Sequence, residues 1–526
     1  MIQRQTETAA YWGAAFKIEE SDIEFLNNLL LEEETPLTTE EMALVIARRR
    51  YEREAEAAKH RQQGAVVYLP KETYAVGQTV VFPELQFTAG RVVSVRPGRN
   101  PEDGEFDVIA IDFGNGGSPR EFAARLPNHK LNRAASHDGA GEVESPEAIF
   151  AEYGRDITAK LEAHLKESPD IVRIAGRWFP RALLLTVNVG HLNLAEAVLD
   201  MAGGGPLPAE ALLKEVGLPD NVHPRLQAFS LNFGLQEDER FDEVGPAGQV
   251  LWYLRRLEPP EVVFTPRRLE NAAPDYQPSQ LTPTLLALEQ EIDDELAPGA
   301  GDAPAADEVT VHVIFPHRRV GALPLSRRLA HLFPTAYEAP RIRFMLVDGD
   351  SGEQFPGWVV RLGRYVFGLD EWYKKREFPV GGQLVVRRGD QPGEVVVKAS
   401  TRRPAREWVR TAVAGADGRL NFSMQKRLIS VHYDELTVIA VDNLAAIDEV
   451  WLKGQHLPFE RLVADLFREL AKLNPQSAVH AKTLYAAVNV VRRSPPGPIF
   501  AELLSRPYFV HVGDAYWRFD QSLWTG

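Results

Sequence analysis

Cysteine is absent from this chain of 526 residues, which excludes disulfides, thiol nucleophiles and cysteine-based zinc sites. Long apolar runs are missing too. Nothing approaches the ~18 consecutive apolar residues of a membrane span, and the polar stretch Met1 to Ala10 lacks the apolar centre of a secretory signal. A cytoplasmic protein is the expectation. Catalytic signatures are equally scarce: there is no Gly-rich phosphate loop ending in Gly-Lys-Ser/Thr, no His-Glu-x-x-His and no Gly-x-Ser-x-Gly elbow. The 13 histidines are scattered, with His129, His317, His331 and His432 in separate elements, and a lone histidine among apolar residues is ordinarily structural. Asp348-Gly349-Asp350-Ser351-Gly352-Glu353 is too short for a calcium loop and reads as a hairpin turn. No catalytic residue, cofactor or metal is expected.

What is present is charge, badly mixed. From Thr310 to Arg427 the sequence holds 21 Lys and Arg against 11 Asp and Glu, while the whole chain is formally −15. The window therefore stands at +10 and the remainder at −25. A basic island in an acidic chain suits a polyanion, with the acidic remainder limiting indiscriminate adhesion. The competing reading is that these cations pair with acidic neighbours inside the fold.

At about 150 residues per domain the length suggests three to five domains. Residues 1–72 read as helical: Ser21-Asp22 precedes an apolar stripe, and Thr38-Thr39-Glu40-Glu41 opens a second helix. That helix runs into Arg48-Arg49-Arg50, read as an exposed face pairing with Glu52, Glu54 and Glu56 rather than with phosphate. Residues 73–132 switch to period two, with strands at Val76–Phe82, Gly90–Val95 and Phe106–Phe113, and resemble the small SH3-like barrels attached to transcription and RNA-processing proteins. A connector covers 133–145, a mainly helical module 146–258, and an acidic Pro/Ala/Gly linker 270–308 that includes a short helix from Leu285 to Leu296. Strands return over 309–444, and 457–526 is helical before a closing hairpin.

Two distant segments end alike. Phe241-Asp242-Glu243-Val244-Gly245 leads through a turn to Trp252-Tyr253, and Phe509-Val510-His511-Val512-Gly513 leads to Tyr516-Trp517. Each hairpin follows three amphipathic helices: Leu192–Met201, Pro208–Val216 and Pro224–Phe233 in the first, and Phe459–Leu473, Ala481–Val491 and Pro498–Leu504 in the second. Three helices and a β-hairpin describe a winged helix. Both stretches resemble the helix-turn-helix module of the bacterial RNA polymerase delta subunit, which implies a transcription-related role with RNA polymerase or another protein as partner. The first third helix offers only His223, Arg225 and Gln227, which favours protein contact. The second module offers Lys482, Arg492 and Arg493.

Within the basic window, Gly357-Trp358-Val359-Val360 through Arg364-Tyr365-Val366-Phe367-Gly368-Leu369-Asp370-Glu371-Trp372-Tyr373 to Phe378-Pro379-Val380-Gly381-Gly382-Gln383-Leu384 resembles the B3-type DNA-binding pseudobarrel, although Gly382-Gln383 stands where that family has an acidic turn residue. The resemblance implies two basic arms that grip duplex DNA. It places Arg361, Arg364, Lys374, Lys375 and Arg376 on the barrel and near its helix. It puts Arg402, Arg403, Arg406 and Arg410 on a later loop and strand, and Arg318, Arg319, Arg327 and Arg328 on an early segment. The guanidinium fork suits phosphate, and Lys374–Arg376 and Arg402-Arg403 are the foremost candidates.

The expected fold is α+β and multidomain, with two winged-helix modules, a small SH3-like barrel and a larger basic barrel. The expected function is non-enzymatic, prokaryotic DNA binding, with no membrane and no small-molecule substrate. A protein-interaction scaffold without nucleic acid is the alternative, and a nuclease or other enzyme with a dispersed site the third.

Overall fold

A computed structural model of the chain describes residues 11–12, 16–33, 35–62, 66–82, 85, 88–99, 105–114, 118–127, 129–132, 145–219, 221–299, 306–391 and 393–524. The connector expected at 133–145 lies outside them but for its last residue. The protein is mixed α+β, with fifteen helices and several sheets among the described residues. No described helix is long and apolar enough to cross a membrane. Two compact units form, Met1–Leu184 and Leu185–Gly526.

In the first unit Thr38 starts the helix Thr39–Gln62 as the sequence predicts. Its Oγ1 accepts the Glu41 N–H at 3.1 Å and its own N–H donates to the Glu41 carboxylate at 2.7 Å, a reciprocal cap. The helix Pro146–Glu167, capped by Ser145, packs against it, so the unit boundary falls inside the stretch 146–258 that reads as one module. The arginine triplet finds partners other than those expected on its own helix. Arg48 pairs with Glu147 at 2.8 Å, Arg50 with Asp22 at 2.6 Å and Glu19 at 2.9 Å, and Arg49 donates to the Ser21 carbonyl. Asp22 is fully buried, and a buried carboxylate needs a cation more than an exposed i,i+4 pair does. The expected strands appear as Thr79–Phe82, Thr88–Pro97 and Asp107–Asp112, flanked by Val66–Val67 and Arg120–Ala124 in a five-stranded sheet.

The second unit centres on a seven-stranded sheet. Its spatial order is Glu308–His312, Gln383–Arg388, Glu394–Ala399, Arg341–Asp348, Gln354–Val360, Tyr365–Phe367 and Ala322–Pro324. Arg341–Asp348 alternates half-buried and buried, residue by residue, as a strand with one face on the core must. Ile342, Phe344, Leu346, Leu384, Trp372 and Tyr373 meet in that core. Asp348 then turns the chain back: its carboxylate accepts the Asp350 and Ser351 N–H groups at 2.8 and 3.1 Å.

The two helical modules share an order of elements. The first has helices Val189–Met201, Ala209–Val216 and Pro224–Gln236, then the hairpin Phe241–Glu243 and Trp252–Leu254. Leu207 bridges to Trp252, and Gly205 permits this closeness, since a Cβ there would lie 2.5 Å from the Trp252 carbonyl oxygen. The second has Phe459–Ala471, the short strand Ala478–His480, Ala481–Val491, Pro496–Ser505, and the hairpin Phe509–Gly513 and Tyr516–Phe519.

The stretch 270–308 departs most from expectation. Its described part up to residue 299 is no solvated linker but a strap built into the second unit. Thr282 caps the helix Pro283–Ile292, whose Leu285 and Leu288 share a core with Leu484, Ile499 and Phe500 of the second module. The acidic residues that follow are buried: Asp293, Asp294 and Glu295. Cationic partners supplied from distant segments are what make that burial tolerable.

Candidate nucleic-acid interface

Most of the cations read as phosphate ligands have partners within the fold, although several of them are exposed. Lys374 pairs with Asp370 at 2.6 Å and Glu371 at 2.9 Å, and Lys375 with Glu353 at 2.5 Å. Arg376 binds Asp348 at 2.5 Å and Asp350 at 2.8 Å. Burial opposes the Asp348 charge, yet Arg376, two backbone amides and the Trp372 indole bring its pKa down to about 2. Arg319 pairs with Asp448 at 2.9 Å, and Arg327 and Arg328 both reach Asp293, at 3.6 and 3.1 Å. Arg318 donates to the Phe378 carbonyl at 2.7 Å, Arg361 to the Ala339 carbonyl at 2.9 Å and Arg364 to the Glu295 carbonyl at 3.0 Å. The three basic residues that the sequence singles out in the second module are buried. Lys482 bridges Glu291 and Asp434 at 2.6 and 2.7 Å, Arg492 donates to the Gln455 carbonyl at 2.9 Å, and Arg493 binds Asp294 and Glu295 at 2.6 and 2.7 Å.

Arg403 and Arg406 differ. They are exposed and have no ion-pair or hydrogen-bond partner among the described residues. Both lie on a long ribbon, Thr401–Ala414 paired antiparallel with Leu420–Val431. The expectation from sequence there is a loop and a strand. The signals it lacked were the Asp417-Gly418 turn dipeptide and the alternation Leu420, Phe422, Met424. Pro404 obscured the rest, because a proline inside a run argues against a strand.

The ladder does break there. Between Thr401 and Ala405 the register slips, since Pro404 has no N–H to donate, and the chain bulges outward. Arg402 folds back, pairing with Glu407 at 3.2 Å and lying over the Tyr433 ring at 5.0 Å. Arg403 and Pro404 are left facing solvent.

Beyond the bulge the ribbon has one covered and one open face. Val409 and Ile429 pack on Val438. On the opposite side Arg406 stands across from Leu428 and Trp408 across from Lys426. Trp408 is 61% exposed and Leu428 70%. The Lys426 Nζ sits 5.4 Å from the centre of the Trp408 ring, a cation–π contact. Arg410, next on that face, is withdrawn: burial lowers its pKa to about 10, and it donates to the Val438 carbonyl at 3.1 Å. Towards the turn the ribbon is anchored. Ala412, Leu420 and Phe422 enter the core of the second module, and Thr411-Ala412 pairs in parallel with Ala440-Val441. The free end carries three unneutralised cations around an exposed aromatic ring.

A cavity of about 160 Å³ lies elsewhere in this unit, between the strap and the sheet, lined by Glu291, Asp293, Thr310, His312, Thr437 and Lys482 among others. Burial lowers the His312 pKa, so that imidazole is neutral at pH 7. Among the described residues no group of three or more His, Asp and Glu could hold a metal ion. Comparison with family models, curated proteins and solved structures gives no match for the chain.

Proposed function

We propose that the protein binds nucleic acid, and that the open face of the ribbon is its contact surface. One observation carries the reading: of the thirteen cations that the barrel resemblance places, only Arg403 and Arg406 are both exposed and without a polar partner among the described residues, and Lys426 and Trp408 stand beside Arg406. Arginines left free beside an exposed ring are suited to phosphate and base. The role is binding rather than turnover.

The finer assignments belong to the same proposal. The two helical modules are winged helices, the five-stranded sheet is an SH3-like barrel and the seven-stranded sheet a B3-like one. The first winged helix contacts protein, with RNA polymerase the partner that the delta-subunit resemblance names. Its helix Val189–Met201 supports that role by presenting Val189, Leu194 and Met201 to solvent, Met201 at 81%. In the second, the buried basic residues and the strap over the third helix leave no face for a groove.

The test is anisotropy of a labelled DNA oligonucleotide with the full chain over a salt series. Arg403→Ala/Arg406→Ala/Lys426→Ala should lose at least tenfold in affinity and most of the salt dependence. Lys374→Ala/Lys375→Ala should bind as the parent does. Equal loss from both variants, or from neither, would refute the ribbon as the interface.

A further inference from the structure

We infer that the ribbon is built for single-stranded nucleic acid, with an unpaired base stacked on Trp408 and the adjoining backbone on Arg403 and Arg406. This rests on the nucleic-acid reading and specifies its substrate.

The first reason is the chemistry of the open face. Trp408, Leu428 and Met424 expose apolar surface there, which gains nothing from phosphates. A duplex presents phosphates and polar base edges, and keeps the apolar faces of its bases stacked on one another. Only an unpaired base offers a π face to the indole. The Lys426 ammonium over that ring is on an exposed side chain, free to move to a phosphate as a base takes its place.

The second reason is magnitude. Three free cations give a salt slope of only about −2 on a single strand or about −3 on a duplex. In a chain of net −15, so small a charge contribution holds a duplex weakly. Stacking adds about 1–3 kcal/mol per base, a term that salt does not screen and a duplex cannot supply. The third reason is spacing. Arg406 and Trp408 are two residues apart on one strand face, about 6.6 Å, on the order of one nucleotide step in an extended strand, with Arg403 beyond in the bulge.

The experiment compares labelled oligothymidylate with a mixed-sequence duplex of equal length, using the full chain. The single strand should bind at least tenfold tighter. Trp408→Ala should weaken it about tenfold or more with the salt slope unchanged, and Trp408→Phe should recover most of the loss. Because the ring is exposed, the unfolding midpoint of either variant should match the parent. Duplex binding that equals or exceeds single-strand binding would overturn the inference. So would an unaltered Trp408→Ala affinity while the Arg403/Arg406/Lys426 variant fails to bind. Either result would leave the ribbon in place as an interface. Absence of binding to both oligonucleotides would remove the underlying reading as well.

Discussion

The two helical modules share an order of elements and resolve buried charge in opposite ways. In the second, Arg493 is 2% exposed and clasped by Asp294 and Glu295 of the strap. In the first, Glu258 is buried just after the hairpin, and burial, with Asp242 beside it, pushes its pKa up to about 8 despite Arg341. One module pairs its buried carboxylates closely with a cation; in the other, burial outweighs the Arg341 contact at 3.3 Å and raises the Glu258 pKa. Basic residues in a helix-turn-helix sequence therefore say little about DNA until their carboxylates are located. Arg493→Met is the sharpest way to break the contrast. It leaves two buried carboxylates without their cation and should cost about 3–5 kcal/mol in urea unfolding. Adding Asp294→Asn and Glu295→Gln should return much of that loss. A variant as stable as the parent would mean that the strap is not held by charge.

The strap's hold can be probed through packing as well. The Tyr276 ring lies on Gly497, where an added Cβ would fall 1.9 Å from a ring carbon. Gly497→Ala should destabilise by about 1–3 kcal/mol. The counterpart in the first module, Arg225→Ala, sits in the exposed first turn of its third helix and should change stability by less than about 0.5 kcal/mol. Equal effects would erase the distinction between a helix start covered by the strap and one exposed to solvent.

Glu258 gives a smaller and pH-dependent effect. The folded chain keeps its proton up to about pH 8, whereas an unfolded glutamate releases its own near ~4.3. The folded state thus binds more protons between those values, and this residue makes stability fall as pH rises through that window. Glu258→Gln should gain on the parent as pH rises through that window and be more stable at pH 8.5 by at least about 1 kcal/mol. At pH 4.5 the two should be alike. A parent whose stability rises relative to the variant across the window would show that Glu258 is ionised by Arg341.

These contrasts also mark what was legible in the sequence. Local signals read correctly: the Thr38–Glu41 cap, the Asp348 turn and the hairpins of both modules all follow from short contiguous stretches. What depended on distant partners did not. Asp294 meets Tyr485 and Arg493 nearly two hundred residues away, and no composition rule separates such a buried acidic run from a solvated linker. Arg403 was named for its charge alone. Its distinction from Lys375 lies in the absence of a carboxylate across the fold, and Trp408, Lys426 and Leu428 went unnamed because their meeting depends on strand register.

That difference sets the last and smallest expected effect on stability. Lys374 and Lys375 lie on the exposed side of a short helix, each within reach of a carboxylate, and exposed pairs of this kind hold little free energy. Arg403 and Arg406 have no such pair to lose. Lys374→Ala/Lys375→Ala and Arg403→Ala/Arg406→Ala should therefore both unfold at the parent's midpoint and differ only in oligonucleotide affinity. Removing the lysines also frees Asp370, Glu371 and Glu353, so any change in that variant should be weaker binding at low salt that fades as salt rises. Removing the arginines should weaken binding at every salt and flatten the slope by roughly one to two. If the lysine variant flattened the slope instead, those ion pairs would be opening to phosphate, and local pairing would no longer separate structural from functional cations here.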